Sequence, residues 1–221
     1  MIHANSITVS PGAQTVLSDF SLRVQKGEKV ALNGPSGSGK STLLKTLIGM
    51  HQPSSGTIEL LGMAFVQENL PKIRRRMFYL PQDVVPKGDE TVLEYLKTPF
   101  QLAVNRKMPF PDAALEERFA ALRLKPELLN QPLYSLSGGE RKRVGLLAGL
   151  LLNRDIILAD EPTAGVDPAN RDVIGGLLFG SPGVTVLAVT HDEALLQMAD
   201  RCVTLPEPQL QKTDGGTDGR P

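Results

Sequence analysis

The chain has 221 residues, and its 24 basic and 24 acidic residues give a formal net charge of zero. This length can bury one large α/β core, and the zero net charge argues against a protein that mainly neutralises a nucleic-acid backbone, so we expect no nucleic-acid partner. The single cysteine, Cys202, excludes an intramolecular disulfide, and we expect a buried thiol in a protein of a reducing compartment.

The first third of the chain is predicted to contain antiparallel strands and a phosphate-binding unit. The segments "SITVS" and "TVLSDFSLRV" alternate apolar and polar residues and flank a turn at Pro11-Gly12. A short buried strand at 29–33 leads into the glycine-rich "GPSGSGKST" and the helix "TLLKTLIGM", an order that phosphate chemistry needs. "SSGTIELLG" is typical of a hairpin, and "RRRMFYLPQD" of a helix end that feeds a strand.

The rest of the chain changes from short helices to buried strands. Prolines break residues 84–136 into pieces such as "DAALEERFAALRL", which predicts a helical insertion. A long helix follows "LSGGE", and "DIILADE" and "VTVLAVTHD" are then apolar runs without alternation. Such runs are typical of strands covered on both faces in a parallel sheet, with "RCVTL" as the last strand. We predict one α/β domain at 1–205, with an antiparallel β subdomain and the α-helical insertion.

The two ends of the chain and its longest apolar block are the segments that indicate the cellular compartment of the protein. The start "MIHANSITVS" lacks the basic and apolar regions of a secretory signal. Residues 144–152 form the longest mostly apolar block, far shorter than the roughly 20 residues that cross a bilayer. We therefore expect a cytoplasmic protein. Residues 206–221, rich in Pro, Gly and charge, are predicted to be a disordered tail.

Residues 34–41, "GPSGSGKS", fit the pattern G-x-x-x-x-G-K-[ST] in full. The glycines let successive backbone N–H groups surround phosphate oxygens, and the helix start adds its positive dipole end. Lys40 would reach the outer phosphates and the Ser41 hydroxyl would bind Mg²⁺. Because the motif lies between a predicted strand and helix, an ordinary glycine-rich turn is a poor alternative.

Three later strand ends carry further candidates. Asp160 and Glu161 end "IILADE", at the edge where open α/β sheets bind their ligands. Asp160 would hold Mg²⁺ through its water shell, and Glu161 could orient or deprotonate an attacking water. His191 ends "VTVLAVTH", where a structural histidine is the alternative. Gln82 follows "FYLP" and could be an ordinary strand end.

The helix start "YSLSGGE" is unusual in its flexibility. Ser137 followed three residues later by Glu140 forms the capping-box pattern S-x-x-E, so a well-capped helix is one interpretation. An ordinary helix cap does not need Gly138 and Gly139, which make the backbone at this helix start flexible and polar.

In order and spacing, these motifs resemble those of the ATP-binding-cassette (ABC) ATPases, the nucleotide-binding subunits of ABC transporters, over about residues 1–205. The signature L-S-G-G-Q of that family is here Leu136-Ser137-Gly138-Gly139-Glu140. The resemblance implies the ABC type of P-loop NTPase fold and a head-to-tail homodimer. In that dimer, Ser137 and the glycine N–H groups of one copy would close on the γ-phosphate bound to the other.

The resemblance also implies a role for each matching residue. Catalysis is assigned to Lys40, Glu161 and His191, and Mg²⁺ binding to Ser41, Gln82 and Asp160. ATP binding is assigned to Gly34, Pro35, Ser36, Gly37, Ser38, Gly39, Lys40, Ser41, Thr42, Gln82, Ser137, Gly138, Gly139 and Asp167.

Three positions depart from the family pattern. Glu140 replaces the usual Gln, which adds a negative charge but still closes the capping box. Gly165 stands in T-A-G-V-D where S-A-L-D is usual, which would loosen contact between the two copies. Pro11 aligns with the aromatic residue that usually stacks on adenine, so we expect ATP to be held mostly by its phosphates and base selectivity to be weak.

The resemblance implies an ATPase subunit that binds integral membrane permease subunits at the inner face of the cell membrane. A non-transport ABC ATPase of DNA repair or translation is the alternative, although such relatives carry coiled-coil insertions or two cassettes, which this chain lacks. A finer resemblance to bacterial iron-export ATPases comes from "DETVLEYLKTPFQLAVNRKMPFPD", "LSGGE" and "THDEALLQMADRCVTL". It implies export of iron or another metal.

Overall fold

Two β-sheets organise the computed structural model, which describes residues 1–12 and 14–206. The antiparallel sheet contains β1 (Ile2–Val9), β2 (Leu17–Val24), β4 (Ser55–Leu60) and β5 (Met63–Ala64), in the order β2-β1-β4-β5. The other contains β3 (Lys29–Asn33), β6 (Met77–Leu80), β7 (Ile156–Asp160), β8 (Thr185–Val189) and β9 (Arg201–Thr204), in the order β6-β7-β8-β3-β9. All neighbouring strands of this second sheet are parallel.

Seven α-helices are described in residues 1–12 and 14–206. They are α1 (Lys40–Leu47), α2 (Leu70–Arg74), α3 (Val92–Gln101), α4 (Asp112–Ala121), α5 (Gly138–Leu151), α6 (Pro168–Phe179) and α7 (Glu193–Met198). Short 3₁₀ helices at Pro126–Asn130 and Leu133–Ser135 lie between α4 and α5. Within the described ranges, no helix has both the length and the apolar character needed to cross a membrane.

The parallel sheet is covered on both faces, as its apolar runs predict. Every residue of β7 and β8 is buried. Because successive side chains of a strand point to opposite faces, β7 contributes Ile156 and Leu158 to one hydrophobic cluster, and Ile157 and Ala159 to another. The first cluster also contains the antiparallel sheet and α1, and the second contains α3 to α6. The predicted α/β fold class is confirmed.

Two details differ from the sequence analysis. β1 begins at Ile2, several residues before "SITVS", because its first residues pair with β4, from Ile2 against Leu60 to Asn5 against Thr57. Cys202 is exposed, so the expectation of a buried thiol was wrong. It lies in β9, an edge strand on which only Val203 is partly covered. Apart from Pro206, the tail predicted at 206–221 lies outside the described residues.

Helix α5 packs closely against the edge strand β6 and the segment after it because of its glycines. A Cβ at Gly149 would overlap the Phe78 ring, and one at Gly145 would lie 2.5 Å from Val84 Cγ2. Close packing therefore requires glycine at both positions, and it sets the distance from α5 to the sheet.

We predict opposite effects of two Gly→Ala changes on stability. Gly149→Ala should lower the free energy of unfolding by about 1–3 kcal/mol, because the new methyl group overpacks against Phe78. Gly176→Ala in α6 has open space around it and should raise stability by about 0.5–1 kcal/mol. Urea unfolding of both variants is the measurement. Equal changes in the free energy of unfolding would show that helix propensity, and not the approach of α5 to β6, determines the effect of both substitutions.

Candidate functional site

The phosphate loop runs from the end of β3 into α1 through three glycines with positive φ. Gly34, Gly37 and Gly39 have φ values of 140°, 80° and 94°, which side chains with a Cβ rarely adopt. Gly39 is the N-cap of α1, and a Cβ there would lie 2.6 Å from Leu17 Cδ2. Strand β2 thus packs directly against the loop, and this contact holds the start of α1 in place.

Lys40 lies across this loop. Its Nζ donates to the carbonyl oxygens of Gly34 at 2.7 Å and Pro35 at 2.8 Å. Burial lowers the pKa of Lys40, while the carboxylates of Glu161 and Asp160 act in the opposite direction. The Ser38 hydroxyl is buried without a hydrogen-bond partner among the described residues. A cation, a glycine-rich loop at a helix start and an unpartnered hydroxyl fit a polyanion such as the ATP phosphates.

Asp160 joins three elements at the carboxyl edge of the parallel sheet. Ser41 Oγ of α1 donates to Asp160 Oδ1 at 2.9 Å, and the Tyr79 hydroxyl of β6 donates to Oδ2 at 3.2 Å. A hydroxyl and a carboxylate are oxygen ligands of the kind that Mg²⁺ prefers, so Ser41 and Asp160 could hold this ion with the nucleotide. Gln82 is exposed two residues beyond β6, and it is not among the partners of Asp160.

Tyr79 is a residue of this site that was not predicted from the sequence. Burial, together with the Asp160 charge, raises the pKa of its hydroxyl, which therefore stays a neutral donor. The only available signal was its position in the strand before Gln82. Since β6 and β7 are not adjacent in sequence, their pairing alone shows that Tyr79 lies opposite Leu158, near Asp160.

Glu161 and His191 come together at the ends of β7 and β8. His191 Nε2 lies 3.5 Å from Glu161 Oε1. Burial raises the pKa of Glu161, and the nearby His191 lowers it in part. Glu161 has a φ of 48°, and its backbone N–H donates to Val189 O at 2.9 Å. A carboxylate of raised basicity beside a histidine is suited to accept a proton from water.

The start of α5 is a complete capping box. Glu140 Oε2 accepts from the Ser137 backbone N–H at 2.9 Å and from the Ser137 hydroxyl at 2.7 Å, and the Glu140 N–H donates to Ser137 Oγ at 3.3 Å. Ser137 and Glu140 therefore satisfy each other, and the predicted cap is confirmed. Asp167 likewise caps α6 by accepting from the Asn170 N–H at 3.2 Å.

The helix start and the phosphate loop lie in separate clefts. One cleft is lined by Gln14, Thr15, Val16, Gly37, Gly39, Lys40, Ser41 and Thr42. The other is lined by Asp83, Val84, Val85, Pro86, Tyr134, Gly138, Arg141, Lys142, Ala164 and Gly165. A single chain thus brings Lys40, Ser41, Asp160, Glu161 and His191 together along the sheet edge, but its Gly138 lines a different cleft.

A family model described as ABC transporter matches residues 17–164. The chain belongs to this family. The cobalt import ATP-binding protein CbiO of Rhodobacter capsulatus is 36% identical over 91% of this chain and 74% of its own length. A putative ABC transporter ATP-binding protein of Archaeoglobus fulgidus is 31% identical over 99% and 92%. The energy-coupling factor transporter ATP-binding protein EcfA2 of Methanospirillum hungatei is 34% identical, but this chain spans only 51% of it.

Solved structures agree with this assignment. A bacterial ABC transporter cassette, solved as a dimer, superposes with a TM-score of 0.82 at 28% identity over 93% of this chain and 94% of its own. A dimeric post-hydrolysis state of an ATP-binding cassette with ADP and Pi has a TM-score of 0.81, also at 28% identity over 93% and 94%. The expected ABC-type fold and ATPase activity are confirmed.

We predict that Tyr79→Phe weakens Mg²⁺ binding and leaves nucleotide binding intact. The change removes only the hydroxyl that donates to Asp160 Oδ2. Loss of such an outer hydrogen bond costs about tenfold or more in metal affinity. Titration of the ATP-bound Glu161→Gln protein with Mn²⁺, followed by electron paramagnetic resonance, measures this. Tyr95→Phe, on α3, is the matched control, and an equal loss in both would contradict a specific role of Tyr79.

Proposed function

We propose that two copies of this chain bind two molecules of MgATP between them, head to tail, and that hydrolysis drives a separate membrane permease. The observation that carries this proposal concerns Gly138 and Gly139. Neither has a positive φ, and a Cβ would meet nothing within 4 Å at Gly138 and only contacts of 3.9–4.0 Å at Gly139. Among the residues that the structure describes, no contact requires glycine at these two positions.

Glycine in a helix costs about 0.5–1 kcal/mol relative to alanine. Open space alone does not explain its presence, since Gly176 of α6 is equally open. Gly138 and Gly139 differ because they lie in the first turn of α5, directly after the capping Ser137, so the reason for glycine there would lie in what binds at the helix start. A phosphate that approaches the helix start from a second copy is such a reason, because its oxygens would meet the first-turn N–H groups without a Cβ between them. The dimeric relatives with solved structures support this arrangement.

Each side chain at the sheet edge then has a chemical task. Lys40 would leave the carbonyls of Gly34 and Pro35 and bind the outer phosphates. Glu161 would orient the attacking water and accept its proton, while His191 would hold the Glu161 carboxylate in place. Mg²⁺, held by Ser41 and Asp160, would supply positive charge against the phosphate oxygens; its requirement is part of the proposal.

Gly138→Ala should stabilise the single chain and prevent the ATP-dependent dimer. In the Glu161→Gln background, which slows hydrolysis, ATP should double the mass in light scattering. Adding Gly138→Ala should keep the mass at that of one chain, while unfolding in urea shows a gain of up to about 0.5 kcal/mol. Gly176→Ala is the control, because it is equally open but lies in α6. A dimer that survives Gly138→Ala would contradict the shared site.

The permease is proposed to dock at the cleft beside α5. Val85 and Tyr134 line this cleft and are 72% and 54% exposed, which is high for large apolar side chains. Gln82 directly precedes Asp83, which lines this cleft, so a permease docked there would be coupled through Gln82 to the nucleotide site. The chain would then work at the inner face of the membrane. The three relatives above are all named as transporter components, which supports transport over DNA repair or translation.

A metal ion is the cargo class that we propose to test first. The sequence resembles iron-export ATPases, and one relative is named for cobalt import, so a metal is common to both. Direction is part of the test. ATP hydrolysis by the subunit with its co-purified permease in vesicles should rise with Fe²⁺ or Co²⁺ on one side only. Stimulation by a phosphonate instead, as the name of another relative suggests, would overturn the metal assignment.

We predict weak selectivity for the base. Pro11 is exposed where an aromatic residue would stack on adenine, and Gln14 and Thr15 line the cleft beside the phosphate loop instead. ATP and GTP should therefore bind with dissociation constants within about tenfold, or roughly 1.4 kcal/mol. Calorimetric titration of both nucleotides is the measurement. A larger preference for ATP would mean that another group holds the base.

A further inference from the structure

We propose that Lys142 is a positioning residue for hydrolysis, which holds the main chain of Glu161 from the signature helix α5. This inference rests on the proposed role of Glu161 as the base. Lys142 Nζ donates to Glu161 O at 2.9 Å and to Ala164 O at 2.6 Å. The residue is only 8% exposed.

The backbone of Glu161 needs such support. Its φ of 48° is unfavourable for a residue with a Cβ and persists only where the surroundings hold it. The N–H of Glu161 is held by Val189 O of β8, and its carbonyl accepts from the Ala164 N–H at 3.2 Å and from Lys142. The Lys142 ammonium group therefore ties this strained residue to helix α5, whereas its other backbone contacts are to the neighbouring strand β8 and to its own loop.

Burial lowers the pKa of Lys142, and three nearby carboxylates offset this effect in part. Burial opposes the charged form, while the carboxylates of Asp83, Glu161 and Asp160 favour it. A charge-assisted bond to a carbonyl is stronger than a neutral one, so the two carbonyl contacts hold the loop at 161–164 firmly against α5. A methionine would cover the same apolar surface without providing a donor.

This contact links two sites that are otherwise separate in one chain. Helix α5 begins at the signature, which is proposed to meet the ATP of the second copy, and Lys142 lies in its second turn. The same lysine lines the cleft proposed for the permease. A small movement of α5 would thus move the main chain of Glu161, and misplacement of a catalytic group by about 1 Å can cost on the order of 100-fold in rate.

The test is a double-mutant cycle of Lys142→Met with Glu161→Gln. Lys142→Met alone should lower kcat by about 10- to 100-fold and change the dissociation constant of ATP by less than about threefold. Added to Glu161→Gln, it should change the residual single-turnover rate by less than about threefold, because a residue that acts through Glu161 has nothing left to position.

Two controls separate positioning from folding. Arg154→Met removes another buried cation, just beyond the end of α5, which bonds to Asn105 and does not touch the loop at 161–164. It should keep kcat within about threefold even if the melting temperature falls. If Lys142→Met does not fold, Lys142→Gln is measured by the same criteria, since its amide keeps a donor but cannot reach both carbonyls.

The outcomes are distinct. An equal loss of rate from Lys142→Met in both backgrounds, a loss that appears only in ATP affinity, or an equal fall in kcat with Arg154→Met would overturn the positioning role. If Glu161→Gln alone leaves the rate unchanged, the proposed base itself fails and this inference fails with it. A large effect in the native background that disappears with Glu161→Gln supports both.

Discussion

Parallel pairing of β6, β7, β8 and β3 is the constraint on which the site depends. Parallel strands end at the same edge of a sheet, so the segments that follow them meet there whatever their distance in sequence. The phosphate loop follows β3, Asp160 and Glu161 end β7, and His191 follows β8. The bond from Ser41 to Asp160 joins residues that are 119 positions apart in the chain, and it exists only because β3 and β7 both flank β8.

The glycines of α5 fall into two groups by the space around them. In the middle of α5, Gly145 and Gly149 let the helix approach β6, and the side chains of Val84 and Phe78 leave no room for a Cβ. At the start of the same helix, Gly138 and Gly139 have open space. The first pair serves the packing of one chain, whereas the second is proposed to let a phosphate from another copy reach the helix start. One helix would thus carry both a packing requirement and a binding requirement.

Buried cations and carboxylates balance each other along the sheet edge. Lys40 and Lys142 both lose hydration, and Asp160 and Glu161 partly compensate this loss for each of them. Both lysines donate to backbone carbonyls, Lys40 to those of its own loop and Lys142 to those of the loop after β7. In the proposed function, the ATP phosphates would compete with the loop carbonyls for Lys40, while Lys142 would keep its contacts with the loop after β7. The two lysines are thus proposed to have different tasks, phosphate binding for Lys40 and support of the Glu161 main chain for Lys142.

The sequence by itself determined the fold class, the capped helix start and the residues of the phosphate loop, because these follow from local patterns. Apolar runs without alternation predicted β7 and β8, and S-x-x-E predicted the bonds between Ser137 and Glu140. Tertiary structure alone decided the partners of Asp160, the contact from Lys142 to Glu161, and the exposure of Cys202. Each depends on which strands are neighbours and which strand lies at an edge. Strand order arises from packing of the whole chain, and no short segment carries it.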